Sequence, residues 1–212
     1  MMRIAIIDYG AGNVRSVQRA FQHVTGPAAT VEITSDRHKI SEAHAVVFPG
    51  QGAAGQCMGN LKSSGLDEVV REEISSGKPF MGVCVGMQLL FAYLEEHDTI
   101  GLGILPGEVH RFPATSGLKI PQIGWNRVKQ VGEPSPLWED IPDGSYFYFV
   151  HSYYSDPAPT AKDKIIGLTD YGLDFASAMA HGNWFATQFH PEKSGTLGLK
   201  VYDNFVRFAN RC

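Results

Sequence analysis

Residues 80–88 read Phe80-Met81-Gly82-Val83-Cys84-Val85-Gly86-Met87-Gln88. Phe80–Val83 is a compact apolar run of strand character. The Val85–Glu96 stretch behind it is rich in Leu, Met and Gln and predicts a helix. Between them lies G-x-C-x-G, the pattern of a nucleophile elbow with cysteine in place of serine. A sharp strand-to-helix turn leaves little room for a Cβ, so glycines flank it. The turn lifts the central side chain above the sheet edge. It also sets the sulfur at a helix N-terminus, where free N–H groups and the dipole favour thiolate. The N–H of Val85 is then placed to stabilise an oxyanion. A buried cysteine in a tight βα turn is equally a small structural hydrophobe, so Cys84 acquires chemical meaning only through its partners.

Outward from this turn the chain alternates strands and helices. Arg3–Asp8, Thr30–Ile33 and Ala45–Phe48 read as strands ending at Gly or Pro punctuation. A helix is expected from about Asn13, with Val14, Val17 and Phe21 on one face, and another over Leu61–Ser76, closed by Gly77. Such alternation implies parallel βαβ units and a sheet covered on both faces. From Gly107 the pattern changes to serial short strands: Glu108–Phe112, Arg127–Val131, Tyr146–Val150, Lys164–Thr169, Ala176–His181 and Trp184–Gln188. Strands in series pair as antiparallel ribbons. A closing helix from Gly195 carries Leu197, Val201, Phe205 and Phe208 on one side. No linker-like stretch divides the chain. The expectation is one domain over residues 1–212: an α/β fold in three layers, with a mostly parallel central sheet, helices on both faces and an added antiparallel ribbon.

Composition narrows the function classes. The 212 residues are 43% hydrophobic and 19% charged, with a net charge of −4. This is globular composition with no basic excess to drive general nucleic-acid binding. Three cysteines, Cys57, Cys84 and Cys212, are no disulfide framework and suit a reducing cytosol. The N-terminal apolar run is too short for a signal peptide, and no stretch approaches a membrane span. A cytoplasmic protein is expected. Gly10-Ala11-Gly12-Asn13 begins like a dinucleotide fingerprint but has Arg15 where the third glycine belongs. No P-loop, C-x-x-C or H-E-x-x-H occurs, so neither cofactor nor metal is expected.

A cysteine nucleophile needs an imidazole to take its proton, and the imidazole needs a group to fix its tautomer. Gln188-Phe189-His190-Pro191-Glu192 follows the last expected strand. Ligand-binding loops gather at such strand ends. Glu192 stands two residues from His190, with Pro191 stiffening the connection. No other histidine sits so close to an acid in so rigid a setting. His151, after the Tyr146–Val150 strand, suits a substrate-pocket or interface position and is assigned no chemistry. Pro49-Gly50-Gln51-Gly52 follows the third strand. Its glycines let backbone N–H groups approach a ligand or form an oxyanion edge, or simply make an exit turn.

These segments in order, Pro49–Gly52, Gly82–Gln88 and His190–Glu192, resemble the triad-type (class I) glutamine amidotransferases. Further stretches narrow the resemblance: Ile7–Asn13, Pro121–Asn126, Tyr148–Tyr154 and Ala186–Ser194. Together they are similar to the glutaminase subunits of imidazole glycerol phosphate synthase, over residues 4 to about 208. Val85 stands where leucine is frequent, and Gln51 where valine is also common.

The resemblance implies a triad of Cys84 as nucleophile, His190 as acid and base, and Glu192 orienting His190. It implies oxyanion donors at the N–H groups of Gly52 and Val85. Gly50, Gln88, Ser152 and Tyr153 would hold the amino-acid end of glutamine. The implied partner is a (β/α)₈-barrel cyclase subunit, in a heterodimer, that uses the ammonia in histidine biosynthesis. Asn13, Trp125, Tyr146, Tyr148 and Lys193 match positions near that interface. Read without the resemblance, they are a helix cap, core or groove aromatics and a solvated lysine. The resemblance also implies control by the partner, through an oxyanion strand at Gly50–Gly52 that can present a carbonyl in place of an N–H. Two other classes stay open at this point. One is a different amidotransferase or cysteine hydrolase on the same fold, such as the partner of pyridoxal phosphate or anthranilate synthesis. The other is a catalytically silent binding subunit.

Overall fold

The computed structural model describes residues 1–114 and 117–212. Strand β1 (Met2–Ile7) leads through α1 (Val14–Thr25) to β2 (Ala29–Thr34), and through α2 (Arg37–Ser41) to β3 (Ala45–Gly50). Helices α3 (Ala54–Ser63) and α4 (Leu66–Ser75) precede β4 (Phe80–Cys84), which passes directly into α5 (Val85–Gln88). Then come β5 (Phe91–Leu94), β6 (Thr99–Ile100), β7 (Leu105–Arg111), β8 (Gln122–Arg127), β9 (Lys129–Gln130), β10 (Tyr146–His151) and β11 (Tyr153–Pro157). Strands β12 (Ile165–Asp170), β13 (Asp174–His181) and β14 (Trp184–Thr187) and helix α6 (Gly195–Ala209) complete the chain.

The main sheet runs β2-β1-β3-β4-β14-β13-β11-β7-β5-β6. From β2 to β14 every neighbouring pair is parallel. Strands β3 and β4 are buried at every position, as expected where helices cover both faces. Helix α1 packs on α6, while α4 packs on α2 and α3. Beyond β14 the pairings turn antiparallel apart from the parallel β5–β7 pair, and β12 branches from β13 and carries β9. The α/β expectation holds, with much of the antiparallel ribbon continuing the same sheet. Strands β8 and β10 form a separate antiparallel pair. Alternation on β10 turns Phe147, Phe149 and His151 inward. Phe147 stacks on Phe189 with ring centroids 4.3 Å apart. Burying each such ring stabilises by roughly 1.5–3 kcal/mol and locks this pair of strands over the end of β14.

Three local expectations are corrected. The single helix over Leu61–Ser76 is two helices, because Gly65 takes φ 67° between them. The helix over Val85–Glu96 stops after Gln88 and becomes β5. Backbone N–H groups of residues 101–105 bond to the carbonyls of residues 89–92, which a continuing helix would have used itself. The strand over Arg127–Val131 divides into β8, which ends at Arg127, and the short β9. Strand β11, which sequence reading left unassigned, pairs with β7.

Candidate active site

The parallel strands deliver their carboxyl ends to one place. Gly50 at the end of β3 lies beside Cys84 at the end of β4. Thr187, near the end of β14, lies beside Val83. The loop that follows β14 therefore brings His190 to the nucleophile strand.

Cys84 has φ 56° and ψ −114°, a conformation L side chains rarely adopt. Such strain is of order 1–3 kcal/mol and persists only where the surroundings enforce it. Close packing enforces it here. A Cβ on Gly86 would lie 1.9 Å from the Phe48 carbonyl oxygen, and one on Gly50 would lie 2.6 Å from the Gly86 nitrogen. The elbow expected from the sequence is present. Its helix, however, is a single turn, so the free N–H groups of that turn outweigh any long macrodipole.

Hydrogen bonds fix the base. His190 Nδ1–H donates to Glu192 Oε1 at 2.7 Å, and both side chains are buried. The Tyr202 hydroxyl donates to Glu192 Oε2 at 2.9 Å, and the Asn13 amide donates to Oε1. His190 N–H donates to the Tyr148 carbonyl at 2.9 Å. Ser194 Oγ accepts from Tyr148 N–H at 2.9 Å and donates to the His190 carbonyl at 2.7 Å. Burial opposes charge on His190, but the negative charge and hydrogen bonding of Cys84 and Glu192 outweigh it and push its pKa up to about 10. Burial likewise raises Glu192, yet His190 and Tyr202 hold it below its ordinary value. His190 Nε2 is buried with no hydrogen-bond partner of full geometry, which leaves it to the reacting groups.

A cavity of about 280 Å³ opens over this pair. Cys84, Val85, Gln88, His190, Gly52, Gln51, Ser152 and Tyr153 line it, with Glu96, Pro121, Val150 and His151. Gln88 Nε2 donates to Tyr153 O at 3.1 Å and to Gln188 Oε1 at 2.9 Å. Both hydrogens of that amide are thereby taken, so Gln88 has its carbonyl oxygen to offer a ligand. His151 Nδ1–H donates to Tyr153 O at 2.6 Å, and the ring packs among Phe112, Phe149 and Phe175. Burial lowers its pKa to about 4 against the pull of that carbonyl. It is a neutral wall of the pocket at pH 7. Among the described residues no cluster of His, Cys, Asp or Glu is placed to hold a metal ion, and no helix is long and apolar enough to cross a membrane.

Asn13 sits at the N-cap of α1 with φ 74°, but its side chain makes no cap and goes to Glu192. Trp125 and Tyr146 are 55% and 54% exposed on the outer face of the β8–β10 pair. Tyr148 is half-buried beside Trp125, with ring centroids 6.3 Å apart. Lys193 lies in the turn that carries Glu192. Sequence reading missed Gln188, whose Nε2 donates to Cys84 Sγ at 3.7 Å, and also Tyr202, Glu96 and Cys57. Gln188 stood in plain view two residues before His190. The other three, 10 to 27 residues from the nearest triad member, carried no local signal.

The family model described as "Glutamine amidotransferase class-I" matches residues 5–208. "Imidazole glycerol phosphate synthase subunit HisH" of Thiobacillus denitrificans is 52% identical over 96% of this chain and 90% of its own length. The protein of the same description from Dehalococcoides mccartyi is 50% identical, over 97% of each chain. Among solved structures, "PurLQS from Thermotoga maritima" aligns with a TM-score of 0.74 at 16% identity over 98% of both chains. The glutaminase domain of CTPS from Trypanosoma brucei with bound acivicin aligns with a TM-score of 0.69 at 18% identity, over 100% of this chain and 94% of that one. The structural likenesses speak for the fold, and the sequence relatives for the subfamily. The chain belongs to the class I glutamine amidotransferases and, among them, to the family of imidazole glycerol phosphate synthase HisH subunits.

Proposed function

We propose that this chain, as one domain over residues 1–212, hydrolyses L-glutamine and passes the ammonia to a (β/α)₈-barrel cyclase subunit in a cytoplasmic heterodimer. The cyclase uses it to make imidazole glycerol phosphate and an aminoimidazole carboxamide ribotide in histidine biosynthesis. One observation carries the reading: a strained cysteine and a buried His190–Glu192 pair meet at the wall of one cavity.

His190 Nε2 takes the thiol proton of Cys84 as Sγ attacks the side-chain carbonyl carbon of glutamine, and the N–H groups of Gly52 and Val85 take the negative charge on its oxygen. His190 gives its Nε2 proton to the departing nitrogen, the C–N bond breaks, and ammonia leaves a glutamyl thioester. His190 then takes a proton from water. The resulting hydroxide attacks the thioester carbon, and glutamate and the free cysteine are regenerated. Glu192, held by Tyr202 and Asn13, keeps Nδ1 protonated so that Nε2 always faces the reaction. The Gln88 carbonyl, the Glu96 carboxylate and the backbone of Gly50, Ser152 and Tyr153 suit the amino-acid end of the substrate.

The partner reading draws support from the exposed aromatic face of β8 and β10. Trp125, Tyr146 and Tyr148 lie there, with Ile123 63% exposed among them. Exposed apolar patches of this kind mark interaction surfaces. Asn13 and Lys193 extend the surface towards Glu192. The test is glutamate release from glutamine by the chain alone and with the cyclase subunit plus its ribotide substrate. Strong stimulation by the pair is expected. Equal activity in both would reject the partner or the coupling, and release by a Cys84→Ala variant would reject the chemistry.

A further inference from the structure

The mechanism leaves unused a buried amide that touches the nucleophile. Gln188 is fully buried and stands between β14 and His190. Its Nε2 donates to Cys84 Sγ at 3.7 Å, a hydrogen-bonding distance for an atom as large as sulfur. Its backbone is pinned as well. The Gln188 N–H donates to the Ser177 carbonyl on β13 at 2.9 Å, and the His190 N–H donates to the Tyr148 carbonyl at 2.9 Å.

The polarity of the sulfur contact is decided two side chains away. A backbone carbonyl can only accept. The Tyr153 carbonyl accepts from Gln88 Nε2 at 3.1 Å, so the Gln88 group that faces it is the NH₂. The same NH₂ lies 2.9 Å from the Gln188 amide, so the atom that meets it is the acceptor Oε1. With Oε1 turned to Gln88, Nε2 is the end that faces sulfur. The chain of bonds therefore runs one way: Tyr153 accepts from Gln88, Gln88 donates to Gln188, and Gln188 donates to Cys84.

A donor at that place acts at two moments. Once His190 holds the thiol proton, the sulfur is charged, and Cys84 is only 3% exposed to water that could solvate it. An N–H bond to a charged acceptor is about twice as strong as one to a neutral acceptor. When the glutamyl thioester is cleaved, the C–S electron pair returns to sulfur and meets the same N–H. In the neutral thioester between, sulfur is a weak acceptor, so the bond strengthens where charge appears. No proton leaves Gln188 in either step. The Gly52 and Val85 N–H groups serve the substrate oxygen, and Gln188 serves the sulfur.

We propose that Gln188 is a catalytic residue of this site, whose side-chain N–H holds the charge on Cys84 Sγ and is oriented for that task by Gln88 through the Tyr153 carbonyl. The consequence for turnover rests on the glutaminase reading above; the consequence for the sulfur does not.

Gln188→Met keeps length and bulk but removes the donor. Gln188→Glu keeps an acceptor for Gln88 and turns a second oxygen towards sulfur. Both are tested in the full chain with its cyclase partner. Two sets of quantities are read: the rate at which iodoacetamide alkylates Cys84 across pH, followed by peptide mass, and kcat and KM for glutamine. The titratable groups that bear on the sulfur are His190 after β14, Tyr9 after β1 and Cys57 on α3, with Glu96 and His151 on the cavity wall, and both variants retain them all. In Gln188→Met the pH of half-maximal alkylation should rise. Alkylation at neutral pH and kcat should each fall about ten-fold, with KM within about two-fold of the parent. Gln188→Glu should lower both rates by about a hundred-fold, because a like charge then faces the sulfur. If the buried carboxylate prevents folding, Gln188→Asn takes its place; its shorter amide falls short of Sγ and should match Gln188→Met. An alkylation profile that keeps its half-maximal pH in Gln188→Met would overturn the proposal, even if the urea midpoint falls, since packing alone would then be the role. A raised KM with kcat unchanged would overturn it too. Alkylation that responds as expected while even the parent complex releases no glutamate would uphold the sulfur contact and overturn the glutaminase reading.

Discussion

Cys84 and His190 face the same cavity, yet different forces hold them there. The nucleophile is fixed by exclusion: Gly50 and Gly86 bring β3 and the elbow so close that a single Cβ on Gly86 would meet Phe48 O at 1.9 Å. The base is fixed by attraction. Asn13, Tyr202, Tyr148 and Ser194, from three separate parts of the chain, tie down His190 and Glu192. Steric exclusion is all-or-none and local in sequence. A hydrogen-bond bracket is graded and assembled from a distance. Perturbations on the two sides should therefore fail in different ways.

The largest effect is expected at the nucleophile itself. Cys84→Ala should lower glutamate release by on the order of 10⁴ or more while the circular dichroism spectrum is retained. Cys84→Gly should be as inactive but about 1 kcal/mol more stable to urea than the alanine variant, since glycine accepts φ 56° freely. Gly86→Ala should cost about 4 kcal/mol of stability or prevent soluble folding, because backbone faces the new methyl group. On the base side, Glu192→Gln should keep the fold and reduce kcat by roughly 10²–10³, as the imidazole loses its fixed tautomer. Tyr202→Phe, which removes one of several donors to a buried carboxylate, should reduce kcat only about ten-fold and stability by about 1–2 kcal/mol. A Tyr202→Phe loss as large as that of Glu192→Gln would break the contrast between graded and all-or-none support.

The two cavity histidines should give stability opposite pH dependences. His190 is raised from 6.5 to about 10, so its stabilising contribution is full below pH 6.5 and is lost as pH rises towards 10. His151 is lowered from 6.5 to about 4, so its contribution is full above pH 6.5 and is lost as pH falls towards 4. Urea midpoints measured across pH should show His190→Gln flattening the alkaline limb and His151→Phe flattening the acid limb. A steeper acid limb in His151→Phe would contradict the neutral assignment.

The same contrast explains what could be read from the sequence. The elbow, the Pro49–Gly52 turn, helix α1 and strands β1 to β4 were legible because glycine spacing and apolar runs encode them locally, whereas the five-residue α2 and the break between α3 and α4 were not. His190 and Glu192 were legible because they are neighbours. Tyr202 was not, since an aromatic on the buried face of α6 reads as core, and indeed it stacks on Phe21 at 4.3 Å. Asn13, which the resemblance places near the partner interface and which reads by itself as a helix cap, carries no sequence signal of its bond to Glu192. The stretch after Gln88 read as helix because its Leu and Phe spacing fits one. Only non-local bonding by residues 101–105 turns it into β5.

Acylation of the nucleophile bears most directly on the whole account. The complex would be mixed with glutamine, quenched in acid within the turnover time, and its cysteine peptides weighed. The account predicts a glutamyl thioester on the peptide carrying Cys84, none on those carrying Cys57 or Cys212, and accumulation of that adduct when His190 is replaced by asparagine after brief exposure at high glutamine. A glutamyl adduct on another cysteine, or glutamate release that persists in Cys84→Ala, would contradict it.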